Sequence, residues 1–562
     1  MTSGVVLTGV GVGRNAVVGP VARAYPAPKV DLAATPPADP EAAAQHLEAV
    51  LIEVARVLQD RADAATGTLR DVLGATALMA KDPALAGASV AKVRSGCDPA
   101  VAVMQTAGQF IDMFTAAGGY MAERATDLAS VRDRVVARLQ GLPEPGVPTL
   151  SEPCVVVAED LSPADTAVLD LEKVRGIVIE RGGPTGHTAI IAGQLGLPCV
   201  VRVTGADALK DGDVVAVDAA RGTVTLDPSA DMIAAVAGRR ASLAALALDG
   251  SDGATSDGHG VQLLANIGTA EDAERLSGVP VQGVGLFRTE VLFLDARTAP
   301  TKEDQAAVYA RAFAAMGDRK VVLRTLDAGA DKPLAFVPQP GEENPALGMR
   351  AYRMVRRHPE LLSTQLSAIA AAERETGAHA WVMAPMIATV DEARAFAASA
   401  RTAGVSTVGV MVEIPAVALR AQQVLAEVDF VSIGTNDLAQ YTMAADRLMG
   451  DLVDLLDIWQ PAVLDLVALT SAAGLAAGKP VGVCGESAAD PVMALVLTGL
   501  GVTSLSMSPA ALPAVRFALK RHSLETCQRI AASARAASSA LDGRAAALAL
   551  VDAEVREVLA LD

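Results

Sequence analysis

The chain has 562 residues, 51% hydrophobic and 20% charged, with a net charge of −18 at pH 7. That length predicts about three or four domains with sizeable cores. The acidic balance argues against a nucleic-acid partner and an anionic membrane surface, and 3% aromatic residues are too few for a base-stacking platform.

The start, MTSGVVLTGVGVGRNAVVGP, has neither a basic region nor a continuous apolar segment, so no signal peptide is expected. Residues 1–30 read as short Val- and Gly-rich strands. Gly9, Gly11 and Gly13 imitate a dinucleotide fingerprint, but Pro20, Pro26 and Pro28 interrupt where the helix would have to follow. From about 40 to 141 the period becomes helical. Leu47, Val50, Leu51, Val54, Val57 and Leu58 recur at spacings of three and four, Leu69, Val72 and Leu73 repeat this, and Val131, Val135 and Leu139 close the segment. An insert of about four helices is expected over 31–142. After GLPEPGVP come short apolar runs, CVVVAED, GIVIE, CVVRV and VVAVDA. With the N-terminal strands they predict a discontinuous α/β domain, residues 1–30 plus 143–228.

That domain centres on GGPTGHTAIIA, residues 182–192. A strand at 176–179 precedes it, a helix is predicted over 188–195, and Gly196 and Pro198 end that helix. His187 thus falls on a glycine loop at a helix N-terminus, where unpaired N–H groups and the helix dipole favour an anion. A phosphoryl group carried on the imidazole would be such an anion, so His187 is read as a nucleophile toward phosphorus. A His in such a loop can also simply cap its helix. Next come an Ala-rich helix and the segment DGSDGATSDGHG, residues 249–260; together 229–260 are expected to be a linker helix and hinge between moving parts.

Residues 261–562 carry eight apolar strand-like runs separated by helical stretches, at 262–267, 284–289, 321–326, 381–386, 409–414, 430–435, 481–485 and 504–508. This is the pattern of a (β/α)₈ TIM-like barrel. Polar residues stand at the C-terminal ends of nearly all of them: Asn266, Arg288 with Glu290, Arg324 with Asp327, Glu413, Asn436 with Asp437, Cys484 with Glu486, and Ser508. Barrel active sites are built from those ends. Arg288, Arg324, Arg350 and Arg447 could supply guanidinium forks for a substrate bearing carboxylate and phosphate, whereas Arg353 and Arg356 are expected to form surface ion pairs. Glu413 and Asp437, at the ends of adjacent strands, suit two carboxylates on one Mg²⁺. Cys484 alone reads as a buried thiol. The five cysteines form no CxxC pair and are odd in number, which predicts reduced thiols. No run of about 18 apolar residues predicts a membrane span.

Seven motifs, GGPTGHTAIIA, GLFRTEVLF, VLRTLDAGADKP, ENPALGMRAYR, VGVMVEIPA, FVSIGTNDLAQYTMAADR and VGVCGESA, occur in this order. Together they closely resemble enzyme I of the bacterial phosphoenolpyruvate:sugar phosphotransferase system, nearly end to end. The resemblance implies a swivelling phosphohistidine domain, autophosphorylation of His187 by phosphoenolpyruvate with Mg²⁺, and transfer to a histidine of the phosphocarrier HPr. It further implies that the barrel binds substrate and forms a homodimer. The helical insert, with no catalytic constellation of its own, is expected to dock HPr, insertion for stability alone being the alternative, and the reduced thiols predict a cytoplasmic protein. Arg288, Arg324, Asn436 and Arg447 take the family's substrate-binding positions, with Arg350 added as a further substrate-binding candidate, Glu413 and Asp437 its metal ligands, and Cys484 its proton donor to the enolate. Four positions depart from the family pattern: Pro184 and Gly186 stand where Arg and Ser are usual, Gly193 replaces an Arg, and Ala330 replaces a Gly. Two other readings follow from the same resemblance. One is a non-catalytic regulatory paralogue, suggested by those departures. The other is a relative of pyruvate phosphate dikinase or phosphoenolpyruvate synthase, which would require a nucleotide-binding domain ahead of the His where this chain has helices.

Overall fold

The computed structural model describes residues 4–13, 15–64, 68–117, 119–161, 165–166, 169–183, 187–294, 296–329, 332–337, 341–447 and 449–561. The chain divides into two compact units, Met1–Ala241 and Ser242–Leu561.

The first unit is built on eight strands: β1 (Val6–Thr8), β2 (Val10–Val12), β3 (Ala16–Arg23), β4 (Cys154–Ala158), β5 (Val174–Ile179), β6 (Cys199–Val201), β7 (Val214–Asp218) and β8 (Thr223–Leu226), in the order β1-β8-β7-β3-β4-β5-β6-β2. The central run β3-β4-β5-β6 is parallel. Its strands read as unbroken apolar runs because both faces are buried. Val156, Ala158, Ile177 and Ile179 fill one core, while Val155, Val157, Val178 and Val200 fill the other.

Between β3 and β4 the chain leaves the sheet for five helices: α1 (Pro40–Ala64), α2 (Thr68–Ala80), α3 (Pro83–Arg94), α4 (Pro99–Ala117) and α5 (Gly119–Leu139). The fifth, beyond the four or so expected, arises at Asp82-Pro83. Asp82 caps the backbone N–H groups of Ala84 and Leu85, and Pro83 takes the first turn, so one helical stretch becomes two. Leu47, Val50, Leu51, Val54 and Leu58 form the expected buried stripe and meet Val131 and Val135; the side chains of Leu69 and Val72 lie outside those described.

One ion cluster ties the insert to the α/β domain. Arg134 on α5 is 4% exposed and holds Glu144 at 2.8 Å and Asp165 at 2.7 Å, and Arg61 on α1 holds Glu144 at 2.8 Å. Burial would raise the Glu144 carboxyl, but Arg134 and Arg61 outweigh it and hold it below its usual range. Arg134→Met should therefore destabilise this unit by about 3–5 kcal/mol, the usual cost of leaving buried charges uncompensated. Scanning calorimetry should show the N-terminal transition falling while the barrel transition stays in place.

The helix α6 (His187–Leu195) follows β5, and α7 (Ala230–Ala247) follows β8. Within the first unit Arg239 on α7 grips Asp218 through two contacts at 2.8 and 2.9 Å. Within the second, Leu243 and Leu246 of the same helix pack on the barrel core.

The second unit is a closed barrel of eight parallel strands: β9 (Gln262–Ile267), β10 (Gly283–Arg288), β11 (Lys320–Arg324), β12 (Ala380–Ala384), β13 (Thr407–Val412), β14 (Phe430–Ile433), β15 (Val481–Val483) and β16 (Ser504–Met507). All eight match the expected runs. Residues 249–260, read from composition as a free hinge, are instead fastened to this barrel. Arg516 donates to the carbonyls of Asp249 and Pro280, and Lys520 pairs with Asp249 at 2.9 Å. Ala254 bridges Gly260, and the Asp257 carboxylate accepts from the Leu524 N–H. Hydrogen bonds from Ser251, with Lys520 adding to them, hold the Asp249 carboxyl down to about 2. This fastener is fully present above the ordinary Asp range and is lost only as pH falls through about 2. Gly and Asp here serve a tight turn and side-chain bonds rather than freedom. Among the described residues no helix is long and apolar enough to cross a membrane.

Candidate active site

Every barrel residue expected to act lies at the C-terminal mouth. Arg288 ends β10 and is exposed, and Arg324 ends β11 and is buried. Glu413 immediately follows β13. Asp437 is not at a strand end; it sits in the first turn of the helix Thr435–Met443, which starts just beyond β14.

Arg324 and Asp437 belong to one continuous ion network. Arg324 pairs with Glu290 and, at 3.0 Å, with Asp327. Asp327 is also held by Arg350 at 3.0 Å and approached by Lys332 at 3.6 Å. Arg350 reaches Asp437 at 3.5 Å, and Arg447 approaches its other oxygen at 3.6 Å. Burial would raise the Asp327 carboxyl, but Arg324, Arg350 and Lys332 hold it well below the usual range. Glu413 behaves in the opposite way. Burial first, then Asp437 and Asp327, push its carboxyl up to about 8 against the pull of Arg324, and it accepts the Met386 N–H at 2.5 Å. Two carboxylates facing each other with one held toward its neutral form is a site short of positive charge. Buried Glu290 Oε2 and Arg324 Nε have no partner in the protein, which leaves one acceptor and one donor for something bound. Among the described residues no cluster of three or more His, Cys, Asp and Glu is placed to cage a metal. Two carboxylates with open surroundings fit a hard divalent cation that completes its shell from water and substrate oxygens.

Cys484 is 4% exposed beside this network; burial raises its thiol, and a hydrogen bond from Ser432 opposes that. Asn436 uses its side-chain oxygen to accept the Glu486 N–H at 3.1 Å, leaving its amide N–H groups for another partner. Among the described residues Arg353 has no ion-pair partner, contrary to expectation: it donates to the carbonyls of Leu347 and Gly348 and closes the turn before Arg350. Arg356 pairs with Glu392 as expected.

Sequence reasoning missed Gln365. It is fully buried on the helix Pro359–Thr376, donates to Thr289 Oγ1 at 2.9 Å and Tyr309 OH at 3.1 Å, and accepts the Leu326 N–H at 2.9 Å. Thr289 in turn donates to the Arg324 carbonyl at 2.8 Å, so Gln365 braces the ends of β10 and β11.

In the first unit α6 begins at His187. Pro184 and Gly186 lie outside the described residues, as does Ala330 in the barrel, and nothing is described of the His187 side chain. Thr188 is buried and donates to the Leu161 carbonyl, and Arg202, at φ +58°, donates to the Gly182 carbonyl at 3.2 Å.

A barrel mouth lined with arginines and paired carboxylates in one unit, and in the other a helix opening on His187, define a phosphoryl-transfer class, and the family comparisons agree. Residues 247–524 match the model of the PEP-utilising enzyme, PEP-binding domain; 150–222 match its mobile domain and 8–124 its N-terminal domain. The chain is 48% identical over 552 residues to the phosphoenolpyruvate-protein phosphotransferase of Streptomyces coelicolor, covering 98% of this chain and 99% of that one. It is 38% identical to the protein of the same name from Geobacillus stearothermophilus, over 91% and 92% of the two chains, and 37% identical to that of Bacillus subtilis, over 82% and 84%. The chain belongs to the phosphoenolpyruvate-protein phosphotransferase family.

Proposed function

We propose that this chain takes the phosphoryl group of phosphoenolpyruvate onto His187 and passes it to a histidine of the small phosphocarrier HPr. The observation that carries the barrel half of this reading is the convergence of Arg324, Arg350, Glu413, Asp437 and Cys484 at one mouth. Arg288, Arg324, Arg350 and Arg447 with Asn436 bind and orient the carboxylate and phosphate of the substrate. Glu413 and Asp437 would hold Mg²⁺, which when bound supplies charge neutralisation for the departing phosphoryl group. His187 supplies the nucleophilic nitrogen, and the helix behind it favours the added negative charge. Cys484 gives its proton to carbon as the enolate becomes pyruvate.

Delivery to HPr requires His187 to leave the barrel mouth. With residues 249–260 fastened down, the swing is assigned to helix α7, near the division between the two units. The insert 31–142 docks HPr, and the barrel, residues 261–562, forms a cytoplasmic homodimer. The regulatory-paralogue reading is disfavoured by the full set of mouth residues. The test uses ³²P-phosphoenolpyruvate and Mg²⁺ without nucleotide. Acid-labile, base-stable label on the chain that moves to added HPr is expected, as for a phosphoramidate. Label that is stable to acid and labile to base would mean an acyl or ester phosphate and would overturn the reading.

A further inference from the structure

As proton donor, Cys484, 4% exposed, would be left a thiolate after each turnover and would need one proton before it could act again. The barrel interior beneath it is divided in two. On one side Leu286, Val322, Met383, Met411 and Phe430 pack against Cys484 in the way a barrel core is ordinarily filled. The other side sets hydroxyls and glycines among apolar side chains such as Leu264 and Val483. Ser432 on β14 is in register with Gly482 on β15, Gly482 with Ser504 on β16, and Ser504 with Gln262 on β9. Hydroxyls are costly in a barrel core unless they are bonded or wet. Ser506 is bonded, donating to Asn266 Oδ1 at 2.6 Å, and Asn266 donates to the Cys484 carbonyl at 3.3 Å.

Ser432 and Ser504 instead line a cavity that also reaches Lys320 and Trp381 at the N-terminal mouth, the end of the barrel opposite the arginines. It leaves about 20 Å³ for a water's centre, enough for one ordered water, which needs ~10–15 Å³. Gly482 keeps it open: a Cβ there would lie 2.7 Å from Ser504 Oγ and 3.7 Å from Ser432 Oγ. At the upper end Ser432 stands against the Cys484 thiol, which itself donates to the Ile433 carbonyl at 3.7 Å. At the lower end Lys320 contacts the face of Trp381, 4.5 Å from the ring centroid, and donates to Gln262 Oε1 at 2.5 Å.

We infer that Cys484 is reprotonated from the N-terminal mouth of the barrel, through the water site between Ser504 and Ser432, rather than from the substrate side. The inference rests on the reading of Cys484 as proton donor. The balance is simple. Forming pyruvate breaks the S–H bond and makes a methyl C–H bond, leaving the thiolate. Ser432 O–H then gives its proton to sulfur while taking one from the cavity water, and that water is resupplied by Lys320 or bulk solvent. No oxidant or reductant enters. Burial lowers the Lys320 ammonium to about 8, so it can exchange a proton close to neutral pH. A route separate from the substrate pocket lets the thiol refill while pyruvate or new phosphoenolpyruvate occupies the other end.

The test is made on the full-length protein with phosphoenolpyruvate, Mg²⁺ and HPr. Ser504→Val plugs the cavity one strand layer away from any substrate contact, and Ser432→Ala removes the last hydroxyl. Both should label His187 in the first turnover within about twofold of wild type. Later turnovers should slow about tenfold, with a larger solvent deuterium isotope effect, and Ser432→Thr should restore the rate where Ser432→Ala does not. Unchanged steady-state rate and isotope effect in Ser504→Val, with its melting transition intact, would overturn the route. Cys484→Ala run in parallel separates the two claims: if it releases pyruvate at the wild-type rate, the donor assignment has failed and the route falls with it. If it is slow while Ser504→Val is normal, the donor stands and only the route is wrong.

Discussion

His187→Ala is expected to take no label from phosphoenolpyruvate while still binding it in the barrel. Removing a nucleophile outright costs on the order of 10⁶ in rate where such losses have been measured, so label should fall below detection. Binding should survive because the arginines and carboxylates of the mouth hold one another: Arg324, Asp327, Arg350 and Asp437 form a chain of contacts within the second unit. Equilibrium binding of phosphoenolpyruvate by calorimetry, with Mg²⁺ present, should give a Kd within about threefold of wild type, which in free energy is less than 1 kcal/mol. Label persisting on the variant would move the acceptor to another residue. Lost binding with an intact melting profile would mean that the imidazole itself completes the substrate site. HPr supplies a second readout, since the variant should also fail to take phosphate back from phosphorylated HPr.

How much of this was visible in the sequence depended on how local each interaction is. The barrel strands were legible because each is a short apolar run bounded by turn residues, and the mouth was legible because polar residues interrupt those runs at one end only. Asp437 was placed one step wrong, at a strand end, because the strand–helix junction Ile433-Gly434-Thr435 has no break in its residue pattern. Gln365 was invisible. Its partners Thr289, Tyr309 and Leu326 lie 39 to 76 residues away, and a glutamine on a helix looks locally like any solvated position. Residues 249–260 misled for the same reason. Their Gly and Asp content resembles a flexible linker, while the groups that fasten them, Arg516, Lys520 and Leu524, come more than 260 residues later. The Arg134 cluster was likewise hidden, since an arginine on a helix with acidic residues nearby reads as a solvated face until the fold buries it.

Glu413→Gln should slow phosphoryl transfer severely while making the metal-free barrel more stable. Glu413 sits 1% exposed, with its carboxyl raised by burial and by Asp437 and Asp327. The folded state therefore keeps a proton that the unfolded chain gives up, between the ordinary Glu range near ~4.3 and about 8. In that window stability falls as pH rises, and above it the full penalty of the buried charge is present. An amide of the same shape removes the penalty, so the variant's melting temperature at pH 8 with chelator should exceed that of wild type. The gain should shrink toward pH 5, where wild type is itself protonated. Added Mg²⁺ should raise the wild-type melting temperature, because a cation between Glu413 and Asp437 relieves the same repulsion, and should leave the variant unmoved. Activity should run the opposite way, falling on the order of 10³-fold or more for loss of one electrostatic group at the reacting phosphate. Asp437→Ala should fall by a similar factor, and the double variant by little more than either alone if, as proposed, the two hold one cation and so act as a unit. Additive losses would separate the two carboxylates into different tasks. An equal Mg²⁺ shift in wild type and Glu413→Gln would place the cation elsewhere in the barrel mouth.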